Sequence, residues 1–433
     1  MKEDFLHYAW KYQKFDSSNL STVSGEKINI KRIGDHNINR SGPDFFNVHL
    51  HIDEQLWVGN LEIHVNSSDW YAHRHEEDRA YDNVILHVVW NHDIEIYRKD
   101  QSMIPTLVLE SLIQPKFLKS YLDLLHKKKN YWIPCQGQLQ SIPLSIQTIW
   151  KEQLYVQRLI RKSAEFEEKI KQSNNNWEAV LYQQLFKNFG LNVNGASFES
   201  IAKVTDFSIV RKLSKNNQNL EALFFGQADL LKKNEVASGV LYHKELLEAY
   251  EFFQTKFKIS KKGILPVEFF GLRPSNFPTV RIAQFSALYA KHTDLFSKLI
   301  EVNRIEEMYK LFELELHPFW DMHYTLSKES SKRKKKFSKS FIDLIVINTL
   351  IPVKFLYAKN RGDDNTDIVL KLIDQLPPEK NNIVDRFAQN GIKSASALES
   401  QALIQLKNEF CNKKKCLQCA FGNYLLNKKS NFS

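Results

Sequence analysis

The sequence predicts an α+β protein. An N-terminal α/β part with a central mixed sheet spans 1–114, and a larger all-α part spans 115–433. Three observations lead there. Apolar residues alternate in the strand manner in short runs before residue 110, and their spacing turns helical from about 115. Gly and Pro are scarce, 14 and 12 in 433 residues, which disfavours a turn-rich all-β fold and favours long helices. Hydrophobic residues make up 43% of the chain, with 29 Phe, 16 Tyr and 8 Trp, enough for a sizeable core in two or three domains.

The elements follow in order. Residues 3–15 carry Phe5, Tyr8, Ala9 and Tyr12 at helical spacing. "GEKINIKRIG" alternates as a strand. In "DFFNVHLHI", Val48, Leu50 and Ile52 alternate strictly, and "LWVGNLEIHV" follows across a short "DEQ" turn, with a bulge expected at Val58 and Gly59. "SSDWYAHRHEEDRAYD" opens on the N-capping residues Ser67 and Ser68 and reads as a helix. "NVILHVVW" is almost wholly apolar, as for a strand buried on both faces. "TLVLESL" is a further candidate strand. Beyond it, helices are expected after Pro143, over "NWEAVLYQQLFKNFG" ending at Gly190, and in several later segments without a clean repeat.

No apolar run approaches the roughly 18 residues needed to cross a bilayer. The first 15 residues carry charge and aromatics where a signal peptide has an apolar stretch. The expectation is a cytoplasmic protein without a membrane partner. Net charge is +10, but unevenly spread. Residues 1–110 hold 11 Lys and Arg against 18 Asp and Glu, together with nine of the 14 His. Carboxylates and imidazoles suit metal ions. The remaining residues, with net charge +17, suit a polyanion such as nucleic acid, DNA or RNA. The run "SKRKKKFSK" at 331–339 has six basic residues and no acid, as for a phosphate-binding arm or a solvated loop.

The candidate site centres on "GPDFFNVHLHIDEQLWVGNLEIH". An acid inside an apolar strand is costly unless something pairs with it. Asp44 and Glu62 are expected on neighbouring strands, and His64, two residues beyond Glu62, points the same way. Asp44, Glu62 and the Ile63 carbonyl would hold one Mg²⁺ or Mn²⁺, with Glu3, Asp4 or Glu26 completing the shell. Such an ion activates water and neutralises charge on a phosphate.

With Pro43-Asp44 and Glu62-Ile63-His64 set in a helix–strand–strand–strand–helix–strand order, segment 3–90 resembles the PD-(D/E)xK, or restriction-endonuclease-like, nuclease superfamily. The resemblance implies catalytic roles for Asp44, Glu62 and His64. His64 departs from the lysine usual there, and a neutral imidazole orients water without supplying a fixed positive charge. Substrate contacts by this helix in some relatives point to His75, Asp78 and Tyr81. On a continuous helix His75 and Asp78 share a face and His73 does not. The whole chain is also similar to a bacterial family known as domain of unknown function 2851, through "GNLEIHVNSSDWYAHRHEED", "NVILHVVWNHD", "RPSNFPTVRIAQFSALY" and "CNKKKCLQC". That resemblance implies no activity.

Two further features stand apart. "LRPSNFPTVRIAQF" sets Arg273, Asn276, Arg281 and Gln284 around two prolines, where a rigid loop entering a helix presents side chains to a phosphate. Cys411, Cys416 and Cys419 form C-x₄-C-x₂-C, and Cys135, 276 residues upstream, is the remaining thiol. Four thiolates around one structural centre fit Zn²⁺ or an iron–sulfur cluster, and spacing alone does not separate them. His87, alone in its apolar strand, reads as a hydrogen-bonded core residue. Three functions remain open: metal-dependent cleavage of nucleic-acid phosphodiesters, nucleic-acid or ribonucleoprotein binding on a decayed nuclease scaffold, and zinc-dependent hydrolysis of a small substrate using His64, His73 and His75.

Overall fold

The computed structural model describes residues 1–38, 41–125, 131–231 and 241–428. The chain divides into two compact units. Unit 1 comprises Met1–Trp150, Gln389–Ile392 and Leu406–Ser433; unit 2 comprises Lys151–Ala388 and Lys393–Gln405. The expected boundary at 114/115 falls inside unit 1. The fold is α+β, a mixed sheet in the N-terminal region followed by a large helical region.

Unit 1 opens with helix α1 (Glu3–Lys11), whose first-turn acids Glu3 and Asp4 favour the positive end of the helix dipole. Phe5, Leu6, Ala9 and Trp10 are fully buried. The helix stops at Tyr12, short of the expected residue 15, where Gln13 takes a left-handed conformation. Strands β1 (Leu20–Ser21), β2 (Lys27–Arg32), β3 (Asp35–His36), β4 (Phe45–Ile52) and β5 (Gln55–Asn66) follow. After helix α2 (Asp69–Ala72) come β6 (Val84–Asn91) and β7 (Thr106–Val108). The sheet order is β1-β2-β4-β5-β6-β7, with β3 beside β4. β2, β4 and β5 form an antiparallel meander, whereas β5–β6 and β6–β7 are parallel. Six consecutive residues of β6, Val84–Val89, are buried, because this strand has a neighbour on each edge and cover on each face. Helix α3 (Pro115–Leu125) sets Tyr121 and Phe117 on Phe5 of α1, with ring centroids 4.3 and 5.4 Å apart.

Three local expectations are corrected. The bulge lies on β4, not at Val58 and Gly59 of β5. The register shifts between Phe45 and Val48, and Asn47 has φ +55°. The helix expected over 67–82 stops after four residues. Arg74 turns left-handed at φ +59°, and a 3₁₀ turn forms over Arg79–Tyr81. Finally, the helix Lys339–Arg361 is long and apolar enough by length and composition to cross a membrane, with mean hydropathy 1.7. Asn348, Pro352 and Lys354 interrupt that run and hide it from a simple reading of the sequence. It is mostly buried within unit 2, as a core helix is.

Unit 2 is helical. Its long first helix α4 (Leu144–Gln172) begins just before the unit boundary. It is followed by α5 (Trp177–Phe189), α6 (Leu191–Val204), α7 (Phe207–Leu213), α8 (Asn217–Gln227), α9 (Leu241–Phe257), α10 (Pro278–Lys291) and further short helices. Its core is aromatic: Phe186 lies 4.5, 4.7 and 4.8 Å from Phe285, Phe198 and Phe224. Gly226 lets α8 approach α9, since a Cβ there would collide with the Tyr250 ring.

Candidate metal centre

Asp44 sits just ahead of β4 and is locked to the neighbouring strand by two reciprocal bonds. Its backbone N–H donates to Glu62 Oε2 at 3.0 Å, and its Oδ2 accepts the Ile63 N–H at 2.9 Å. The antiparallel β4–β5 pairing thus fixes one carboxylate against the other. Oδ2 of Asp44 also lies 3.1 Å from His7 Nε2. Glu3 and His7 are one turn apart on α1 and share its sheet-facing side. Ligand atoms of Glu3, His7 and Asp44 all lie within 4.8 Å of one another. Of the proposed third acids Glu3 joins, while Glu26 is engaged by the Thr22 hydroxyl at 3.0 Å.

His64, His73 and His75 form a second triad with the same closeness. The break in the helix after Ala72 makes this possible. Residues two apart on a continuous helix point in nearly opposite directions, but the left-handed Arg74 between them turns both imidazoles toward His64. His64 Nε2 is 3.1 Å from His73 Nδ1, and its Nδ1 is 2.8 Å from Nε2 of the fully buried His87. A proton on His64 Nδ1, donated to His87, leaves the Nε2 lone pair facing the triad; an outer partner of this kind orients a ligating imidazole. Tyr81 stacks on His75 with ring centroids 3.8 Å apart. Asp78 takes another role: its side chain accepts the Ala80 N–H at 2.9 Å and caps the 3₁₀ turn.

Glu62 joins the two triads. Oε2 accepts the Asp44 backbone N–H, while Oε1 lies 3.4 Å from His75 Nε2 and 3.7 Å from His64 Nε2. Glu62 and His64 form a buried floor; Glu3, His7 and Asp44 are half-buried and His73 is exposed, so the centre opens to solvent on that side. Burial, with the charge of Asp44 beside it, pushes the Glu62 carboxyl up to about 9. Burial, then the neighbouring His75, His73 and His7, pushes His64 down to about 3. Burial likewise lowers His75 and His87 and raises Glu3 and Tyr81. Imidazoles lowered by burial at His64 and His75, packed against crowded carboxylates, are a donor set for a cation, while at His7 the effect of burial is outweighed by the bond to Asp44, which raises it. Four of the seven donors are nitrogens, which favours Zn²⁺, Mn²⁺ or Fe²⁺ over Mg²⁺.

The sequence reading brings forward Asp44, Glu62, His64, His73, His75 and Tyr81, and the fold places them together. His7 was missed, and His87 was read only as core. The available signal was the concentration of histidines before residue 110, which says nothing about which imidazoles meet.

The remaining candidates lie elsewhere. In unit 2 the Arg281 guanidinium is buried, bonds Gln284 and Asn276 at 2.8 and 2.6 Å, and stacks 3.6 Å over Phe341. Gln284 in turn donates to the Lys335 carbonyl at 3.0 Å. The Pro loop is therefore tied internally to the basic run, and Arg273 is its exposed arginine. Lys335 is itself buried, its Nζ donating to the carbonyls of Asp321 and Arg333, whereas Lys332, Arg333, Lys334 and Lys336 are exposed. In unit 1, Cys135, Cys411, Cys416 and Cys419 line one pocket. Burial raises all four thiols, Cys416 to about 12.

A family model described as "Protein of unknown function (DUF2851)" matches residues 3–382. No curated protein and no solved structure matches the chain.

Proposed function

We propose, for a chain that belongs to the DUF2851 family, metal-dependent hydrolysis of nucleic-acid phosphodiester bonds. The observation that carries this reading is Glu62, whose Oε1 lies beside His64 and His75 of one triad while its Oε2 accepts the backbone N–H of Asp44 of the other. Two adjacent donor groups sharing a carboxylate suit a pair of divalent ions, with Mn²⁺ or Zn²⁺ better matched than Mg²⁺. When bound, such ions lower the pKa of a water and neutralise charge developing on a phosphate.

The chain's own residues do the rest. The Ile63 N–H holds the Asp44 carboxylate in one orientation, and His87 holds the His64 ring. His64 stays neutral, so it accepts or orients rather than supplying the positive charge of a lysine. The opening beside exposed His73 gives a substrate access to the buried floor. Further support comes from the helix–meander–helix–parallel-strand order, which sets Glu62 on a central strand beside the segment that carries Asp44. The exposed Lys332, Arg333, Lys334 and Lys336 of unit 2, and the net +17 beyond residue 110, fit a polyanionic partner.

The three-histidine group favours a second reading, a zinc-dependent hydrolase of a small ester or phosphate. One assay separates the two. Wild-type protein is offered single- and double-stranded DNA and RNA, and small phosphate and carboxylate esters, with Mn²⁺ or Zn²⁺. The first reading expects nucleic-acid cleavage that Asp44→Asn and Glu62→Gln abolish while circular dichroism stays native. Cleavage of small esters alone supports the second reading, and cleavage unchanged in both variants overturns the site.

A further inference from the structure

The four cysteines are the only thiols in the chain, and Cys135, Cys416 and Cys419 are buried. Their pocket is walled by Leu124, Ile133, Leu406, Phe410 and Phe421. One zinc ion with Zn–S bonds of about 2.3 Å draws four sulfurs to about 3.8 Å from one another. Among the described residues, which include all four cysteines, no three of these sulfurs lie within 4.8 Å of one another. That spacing is wider than a single tetrahedral ion imposes. We infer that this pocket holds a polynuclear iron–sulfur cluster ligated by Cys135, Cys411, Cys416 and Cys419. In such a cluster the four thiolates are divided among different irons, which sets them farther apart than the ligands of one tetrahedral ion.

The local chain is built for it. Cys411 closes the π-helical turn Leu406–Cys411, and Lys414, left-handed at φ +54°, reverses the chain. Cys416 then opens a 3₁₀ turn, and Cys419 precedes the helix Ala420–Asn427. The backbone N–H groups of Phe421 and Gly422 favour the thiolate of Cys419, as amides beside a cluster ligand do. Residue 422 has to be glycine, because a Cβ would collide with the Cys416 carbonyl oxygen. The apolar walls shield the centre from water.

The cluster acts as a staple within unit 1. It joins Cys135 to a segment 276 residues later. Leu124 of its wall belongs to α3, whose Phe117 and Tyr121 stack on Phe5 of α1. Asn427 of the C-terminal helix donates to the Tyr8 hydroxyl of α1 at 2.9 Å. Helix α1 carries Glu3 and His7, so the staple supports one side of the metal centre. This inference is independent of the reaction proposed there.

The full chain, purified anaerobically and reconstituted with ferrous iron and sulfide, is tested by iron and acid-labile sulfide analysis and visible absorption. The expected result is two or more irons per chain, matched by sulfide, with a broad visible band bleached by reduction. Cys135→Ser and Cys411→Ser should each lower iron and sulfide at least two-fold. One zinc per chain without sulfide, or failure to take up iron and sulfide on reconstitution, overturns the inference. Wild-type analysis decides even if the variants fail to fold.

Discussion

Replacing Glu62 by Gln should stabilise the metal-free protein at neutral pH while removing its response to metal. Burial and the charge of Asp44 push the Glu62 carboxyl up to about 9, against an ordinary value of 4.5. Without a cation the folded protein keeps this group protonated at pH 7, whereas the unfolded chain ionises it. The unfolded state then binds fewer protons, so stability falls as pH rises from about 4.5 toward 9. At about 1.36 kcal/mol per pH unit, the loss accumulated by pH 7 is about 3 kcal/mol. Gln has nearly the same shape and still accepts the Asp44 N–H, but it has nothing to ionise. Urea denaturation in chelator should therefore show wild type and variant close together at pH 5. The variant should be more stable by about 3 kcal/mol at pH 7, with a gap that widens toward pH 8. Adding Mn²⁺ should then raise wild type and leave the variant unmoved. A variant that unfolds earlier than wild type at pH 8 in chelator, or that gains as much from Mn²⁺, would refute the assignment of Glu62 as the buried carboxylate between two cation sites.

His87→Leu should keep the strand, which is apolar on both sides of it, yet weaken metal affinity roughly 10–100-fold by releasing the His64 ring. Titration calorimetry showing unchanged affinity would remove His87 from the centre. Replacing Lys332, Arg333, Lys334 and Lys336 together by Gln should flatten the salt dependence of nucleic-acid binding, by roughly 0.9 in log–log slope for each phosphate that the variant leaves unneutralised; an identical slope counts against that surface. Lys335→Ala, by contrast, should act on folding. It strips hydrogen bonds from the Asp321 and Arg333 carbonyls and should lower stability by roughly 1–3 kcal/mol in thermal denaturation.

Cluster loss in Cys411→Ser should reach the metal centre. All four cysteines belong to unit 1, with the helix that supplies Glu3 and His7. The variant should show faster hydrogen exchange in α1 than wild type, and unchanged exchange there would remove the link.

The order of elements around the site was legible in the sequence, because each depends on a local pattern. Alternation marks β4 and β5, a wholly apolar run marks β6, and helical spacing marks α1. That order was enough to set Asp44, at the entrance to β4, beside Glu62 of the neighbouring β5, with His64 on the same face as Glu62. Cysteine spacing named Cys411, Cys416 and Cys419, with Cys135 the remaining thiol, but only the tertiary structure sets all four around one pocket. The sequence grouped His64, His73 and His75 in one reading but could not supply the turn that brings His73 beside His75. Its acids and N-caps favour a continuous helix over 67–82, while the left-handed turn at Arg74 arises where the segment folds against the sheet. Nor could it bring His7 to Asp44 or His87 to His64. Those meetings depend on where α1 and β6 lie across the sheet, a consequence of long-range burial of Phe5, Trp10 and Val88 that no local period records. The same cause separates Lys335 from its neighbours in the basic run. One lysine of five consecutive basic residues is buried because Gln284 and Asp321, both distant in sequence, offer it backbone and side-chain partners. Local preference chose the elements, and tertiary contacts chose which polar groups face one another in the dry interior.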